Sequence, residues 1–293
     1  MIVTRLTIPH GYRSVHEGRR EILVREGYEA RLRRAGLLAP SRLWEKPHQP
    51  SRVSGRGEVL VIPCGRDTVA VRKYRHGGLL RRVTGDLFFF GSRPLQELVA
   101  TEEASAAGVP TLKILAAIQE RGWGGCYRGY LITAFLPSAI DMIDFLERSP
   151  HNQKRRAIIE KAAKAVKTMH KRGIYHADLH LKNFLVAEAK KSIVYVIDFD
   201  KSTIATHLKA GRRIKNLMRL DRSAEKMKRH GLRITGREKQ IFCHTYATGD
   251  PEIRSAMKTF KERYHWHAVR YRSGWWLARV FYPRHNPRKK SRT

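Results

Sequence analysis

The sequence predicts an α+β fold of two lobes, a small antiparallel sheet followed by a mainly helical half. Three observations carry this. Val59 to Ile62 and Thr68 to Tyr74 have the β-branched alternation of a hairpin around a Cys64-Gly65-Arg66-Asp67 turn. Lys154 to Arg172 sets Ile158, Ala162, Ala165, Val166 and Met169 near helical spacing. After that helix come two stretches that each read as a strand feeding a polar turn, and each turn holds an acidic residue.

The two turns are His176-Ala177-Asp178-Leu179-His180-Leu181-Lys182-Asn183 and, after the apolar run Val194 to Ile197, Asp198-Phe199-Asp200. Asn183 follows Asp178 by five residues and Asp198 follows it by twenty, room for a short hairpin. Phosphoryl transfer needs one carboxylate to accept the acceptor's hydroxyl proton, and an amide plus a second carboxylate to hold magnesium. His-x-Asp alone recurs by accident, and an Asp after a strand often only caps a turn. The joint pattern is far more specific, because the apolar stretches Asn183 to Val186 and Ile193 to Ile197 separate the two turns. It points to a protein-kinase-like fold, with Asp178 as base, Asn183 and Asp198 on Mg2+, and ATP as donor.

Composition narrows the partners. At 293 residues the chain can bury a proper core, and its apolar content is that of a globular protein. No apolar run approaches the ~20 residues that span a bilayer, and the N-terminus lacks a signal peptide's apolar core. The expected location is therefore cytoplasmic. Cys64, Cys126 and Cys243 lie far apart, without metal-ligand spacing, and read as reduced thiols. A net charge of +33 is too large for solubility alone. It favours a polyanion: nucleic acid, an anionic membrane surface or a phosphorylated substrate.

In chain order, 1–51 reads as an accessory segment, with a β-like run from Ile2 to Ile8 and charged helical text from Ser14 to Arg34. Residues 52–136 form the N-lobe. Gly55 and Gly57 precede its first strand and could fold over nucleotide phosphates; an ordinary hairpin turn is an equal reading. In Val69-Ala70-Val71-Arg72-Lys73, Arg72 occupies the place of the phosphate-contacting strand cation, and a register slip would exchange it for Lys73. A helix from Pro94 to Ala107, closed by Gly108, should supply the acidic partner from Glu97, Glu102 or Glu103. Residues 137–260 form the C-lobe, entered by a strand over Tyr127 to Leu136, where adenine would meet the backbone near Ala134 to Leu136. A short helix over Ile140 to Leu146 follows. Beyond Asp200, Lys209 to Lys228 is a basic helix, and 261–293 a basic aromatic tail suited to lipid headgroups or to stacked bases.

These residues together resemble a known family. Gly55-Arg56-Gly57, Gly65-Arg66-Asp67, Arg72-x-Tyr74-Arg75-x-Gly77-Gly78-Leu79, Glu97-Leu98 and Gly108-Val109-Pro110 occur in order. The two acidic turns follow, the second as Ile197-Asp198-Phe199-Asp200-Lys201-Ser202, and then Asn216-Leu217-x-Arg219-Leu220-x-Arg222-Ser223. The set resembles the 3-deoxy-D-manno-octulosonic acid (Kdo) kinases and their relatives, the lipopolysaccharide core heptose kinases, over about Gly55 to Ser223. The resemblance implies ATP-dependent phosphorylation of a sugar hydroxyl, in Kdo kinases the 4-hydroxyl, on the lipid A inner core. It implies a Kdo-lipid A precursor as partner and a peripheral place on the cytoplasmic face of the inner membrane. It selects Glu97 as the acidic partner of Arg72. His180 stands where protein kinases carry Lys, and Asp200 where they carry Gly. Competing readings are a heptose, small-molecule or atypical protein kinase of this fold, or a silent basic module bound to nucleic acid.

Overall fold

In the computed structural model the residues described are 7–44, 52–53, 59–75, 85–89, 91–148, 150–188 and 192–259. Apolar side chains on both faces of one antiparallel sheet build the first half. Its strands are β1 (Tyr12–Glu17), β2 (Arg20–Arg25), β3 (Arg52–Val53), β4 (Val59–Cys64), β5 (Asp67–Lys73), β6 (Phe88–Phe89), β7 (Ile114–Arg121) and β8 (Cys126–Ala134). They lie in the order β1-β2-β7-β8-β5-β4-β3, with β6 also on β8. Side chains of alternate residues go to opposite faces, so one sheet makes two cores. Ile22, Val24, Leu60, Val71, Ile118 and Ile132 pack on one side with Leu32 of helix α1 (Glu29–Arg34). Leu23, Tyr74, Ala117, Tyr127 and Leu131 pack on the other with Leu95 and Leu98 of helix α2 (Arg93–Ala106).

Two features depart from the sequence reading. The charged text from Ser14 to Arg34 is not one helix: it is the β1–β2 hairpin followed by short α1. Charged residues at both hairpin ends enclose Ile22-Leu23-Val24, which are buried because β2 lies between β1 and β7. Strand β7 has no counterpart in the sequence reading, since six consecutive buried residues show no alternation. Gly55, Gly57, the aromatic tail from Lys261 and most of the expected Ile2 to Ile8 strand lie outside the described residues.

In the second half, β9 (Ala139–Asp141), β11 (Phe184–Ala187) and β12 (Ile193–Val196) form a small sheet in the order β12-β11-β9. Asp141 caps helix α3 (Met142–Glu147) by accepting from the N–H groups of Ile143 and Asp144. Helix α4 (Asn152–Lys171) buries Ile158, Ala162, Val166 and Met169 and delivers the chain to β10 (Ile174–Tyr175). Gly173 makes that exit at φ +74, and a Cβ there would lie 1.7 Å from the Ala205 carbonyl oxygen. Only glycine lets β10 pair with β13 (Thr203–Ile204). Helices α5 (Ala210–Arg229) and α6 (Gly236–Ala247) follow. From Ala247 on the chain forms a separate unit, helical over 251–259.

Candidate active site

The two acidic turns meet through one buried imidazole. His176 is fully buried; its Nδ1 accepts from the N–H of Asp178 (3.2 Å) and its Nε2 donates to the carbonyl of Ile197 (3.0 Å). Its ring also packs on Phe199, centroids 5.0 Å apart. Burial holds the His176 imidazole below its ordinary pKa, so the neutral ring, one donor and one acceptor, suits both contacts. Asn183, in a 3-10 turn over Leu181–Asn183, donates from Nδ2 to the Asp178 carbonyl at 2.8 Å. Asp198 has φ +66, a left-handed conformation that Asp tolerates better than most residues.

Helix α5 holds the Asp178 loop from beneath with residues on one side, at spacings of three and four. Asn216, fully buried, donates to the His176 carbonyl (2.7 Å) and accepts from the His176 N–H (3.2 Å) and from His170 Nε2 (2.9 Å). Ser223 Oγ accepts from the N–H of Leu181 (3.2 Å). Between them Arg219 Nη1 lies 3.6 Å from Asp178 Oδ1, while His180 Nε2 lies 3.3 Å from Oδ2. His170 Nδ1 and Arg213 Nε both meet the Tyr246 hydroxyl, at 2.7 and 2.9 Å. Burial pushes His170 down to about 4.

The first half of the chain reaches the same place with charges. Arg72 of β5 pairs with Glu97 of α2 and, at 2.8 Å, with Asp198 Oδ1. The Tyr74 hydroxyl also bonds Glu97. One turn before Glu97, Arg93 grips both oxygens of Asp200, its Nε at 3.1 Å from Oδ1, and lies over the rings of Phe88 and Tyr74. Two cations thus face three carboxylates in an enclosed cluster. Burial pushes Glu97 up, to about 7; Arg72 opposes this and the carboxylates of Asp198 and Asp200 add to it. Burial alone would raise Asp198 too, but Arg72 outweighs it and holds that carboxyl below the usual range.

Arg72, Glu97, Asp198, Asp178 and Asn183 therefore gather at one cleft. Lys73 does not. Strand β5 keeps its register on β8, Arg72 opposite Leu131 and Lys73 opposite Tyr130, so the slip that would exchange the cations is absent. Lys73 goes to the other face, where it pairs with Asp86 and lies over Trp44. Glu102 is claimed by Arg25 and Tyr12. At the expected adenine-binding stretch, the N–H groups of Ala134 and Phe135 already donate to Lys113 and Thr68. The sequence reading missed Arg93, whose signal was its place one helical turn before Glu97. It also gave Asn216, Arg219 and Ser223 no role, although their spacing lies on one helix face.

The donor set suits a hard cation. Asp198 and Asn183 offer oxygens, and Mg2+ is commonly held by one or two carboxylates plus substrate phosphates. A model of the lipopolysaccharide kinase (Kdo/WaaP) family matches residues 41–246. The chain belongs to this family. Relatives of this lipopolysaccharide kinase include the 3-deoxy-D-manno-octulosonic acid kinase of Vibrio cholerae, 31% identical over 180 residues, covering 59% of this chain and 72% of that one. The enzyme of the same name from Photobacterium profundum is 28% identical over 201 residues, covering 67% and 82%. A solved structure of WaaP in complex with acyl carrier protein shares the fold, with a TM-score of 0.53 at 19% identity, over 83% of this chain and 98% of that one. The activity is phosphoryl transfer to a sugar hydroxyl of lipopolysaccharide, and the family implies ATP use. Among the described residues no helix is long and apolar enough to cross a membrane.

Proposed function

We propose that this lipopolysaccharide kinase uses ATP and Mg2+ to phosphorylate the 4-hydroxyl of Kdo on a lipid A precursor, at the cytoplasmic face of the inner membrane. The observation that carries the reading is the junction at Asp198. There the turn joined through His176 to Asp178 and Asn183 receives Arg72 from the opposite half of the chain. Asp178, with a side chain 48% exposed, accepts the acceptor's hydroxyl proton. Asn183 and Asp198 would hold the metal, which would supply positive charge to neutralise the nucleotide phosphates. Arg72 contacts the nucleotide phosphates, and Glu97 with Tyr74 keeps its guanidinium directed at Asp198. Residues 52–136 act as the nucleotide lobe and 137–260 as the acceptor lobe.

The net charge of +33 supports the location. Each basic side chain near an anionic surface contributes about 1 kcal/mol before screening. The protein should sediment with phosphatidylglycerol vesicles, and binding that does not weaken with added salt would count against the electrostatic anchor.

Incubation with labelled ATP, Mg2+ and Kdo-lipid IVA, beside a heptose-bearing core, a protein mixture and an aminoglycoside, tests the substrate. Label on the Kdo acceptor is expected. Transfer only to another acceptor would replace Kdo as substrate, and nucleic-acid binding with no transfer at all would replace the enzyme reading.

A further inference from the structure

Arg72, Arg93 and Arg155 each meet a carboxylate at hydrogen-bond distance and are mostly enclosed. Arg219 is different. Its Nη1 stands 3.6 Å from Asp178 Oδ1, beyond a direct hydrogen bond, and its side chain is 41% exposed. Its Nε is buried and has no hydrogen-bond partner among the described residues. Its helix neighbours Asn216 and Ser223 already hold the loop backbone, so Arg219 is not needed to fix that loop.

A hydroxyl that gives its proton to Asp178 must approach within roughly 3 Å of that carboxylate. The acceptor's neighbouring substituents then meet the Arg219 guanidinium. A neutral sugar would cover this cation without replacing its water; an oxyanion would pair with the planar guanidinium, two-pronged where geometry allows. His180 lies on the other oxygen of Asp178.

We propose that Arg219 forms an anion-binding subsite of the acceptor pocket, which selects an acceptor carrying an oxyanion close to the reacting hydroxyl. This rests on the sugar-acid reading above, where the oxyanion is the sugar's own carboxylate or a lipid phosphate.

The test compares wild type with Arg219→Gln and Arg219→Lys on three acceptors: Kdo-lipid IVA, its carboxyl-reduced form and its dephosphorylated form. On the intact acceptor, Arg219→Gln should raise the acceptor KM at least about tenfold, leave the KM for ATP within about twofold, and be partly rescued by Arg219→Lys. Loss of the penalty on one modified acceptor supports the subsite and identifies its anion. An equal penalty on all three acceptors, or a fall in kcat alone, overturns it and leaves Arg219 as a residue that positions Asp178. Binding of free Kdo and of inorganic phosphate, followed by saturation-transfer NMR, decides between these outcomes even if no phosphoryl group is transferred. Binding of either by wild type and its loss in Arg219→Gln supports the subsite; equal binding, or none to wild type, sinks it.

Discussion

The cleft is held from its two sides by different chemistry. On the sheet side, charges do it: Arg72 between Glu97 and Asp198, and Arg93 on Asp200. On the helical side, largely neutral groups do it: Asn216 and Ser223 on the Asp178 loop, with His170 and His176 kept uncharged by burial. The difference lies in what each side can do when disturbed. A carboxylate that loses its cation can take up a proton, and Glu97 at about 7 is already close to doing so. An amide or a backbone N–H has no such escape, and unpaired burial costs its full desolvation. The helical side therefore holds a shape that no change of protonation relieves, while the charged side can respond by taking up a proton.

The largest expected effect is chemical. Asp178→Asn should lower turnover by about a thousandfold or more, with ATP binding intact, measured by steady-state kinetics and nucleotide titration. Near-normal turnover would show that Asp178 is not the base.

Stability should then separate the two sides. Asn216→Leu strands the His176 backbone and a ring nitrogen of His170, and should cost about 3 kcal/mol in urea unfolding, with little dependence on salt. Arg72→Met removes a cation from two carboxylates, yet should cost only about 1–2 kcal/mol, below the range of a fully buried pair, because Arg72 and Asp198 still reach water and Glu97 can protonate. The order of activity loss is reversed: Arg72→Met should be the more damaging to the KM for ATP. If the Arg72 variant proved the less stable, the contrast between the two sides would fail.

Acid offers a sharper version. The unfolded chain protonates a histidine near 6.5, and His170 refuses the proton until about 4. Its contribution is complete above 6.5 and is lost as the pH falls toward 4, roughly 2 kcal/mol between about pH 7 and pH 5. Glu97 acts oppositely, since its raised pKa makes stability fall as the pH rises from 4.5 to 7. The measurement is therefore the difference between wild type and His170→Gln, whose loss between those pH values should be smaller by that amount.

The smallest effect belongs to the clamp on Asp200. Arg93→Gln or Asp200→Gly removes a pair whose side chains are 20% and 18% exposed. Stability should fall by about 1 kcal/mol, above an exposed pair's usual worth but below a fully buried pair's because both side chains still reach water, while the KM for ATP should rise several-fold as the Asp198 turn loosens. A double-mutant cycle in low and high salt would show whether the two residues act as one. Equal effects of salt on this pair and on Asn216→Leu would erase the distinction.

Much of this was legible in the chain. The spacing of Asp178, Asn183 and Asp198, the hairpin through Arg72, the helix carrying Glu97 and the basic helix after Asp200 all stand in local sequence, because turn chemistry and helical periodicity act over a few residues. Folding alone decided the rest. Whether Arg72 or Lys73 faces the cleft depends on which face of β5 is covered, and pairing with β8 determines that. Strands β2 and β7 are strands because they pair with each other across about ninety residues of chain, which fixes the β1–β2 hairpin on the sheet and overrides its charge and the missing alternation of β7. The bonds from Asn216 to His176 and from Arg93 to Asp200 join residues 40 and 107 positions apart. No local pattern encodes such a contact; it exists only once the cores around it have set the distance.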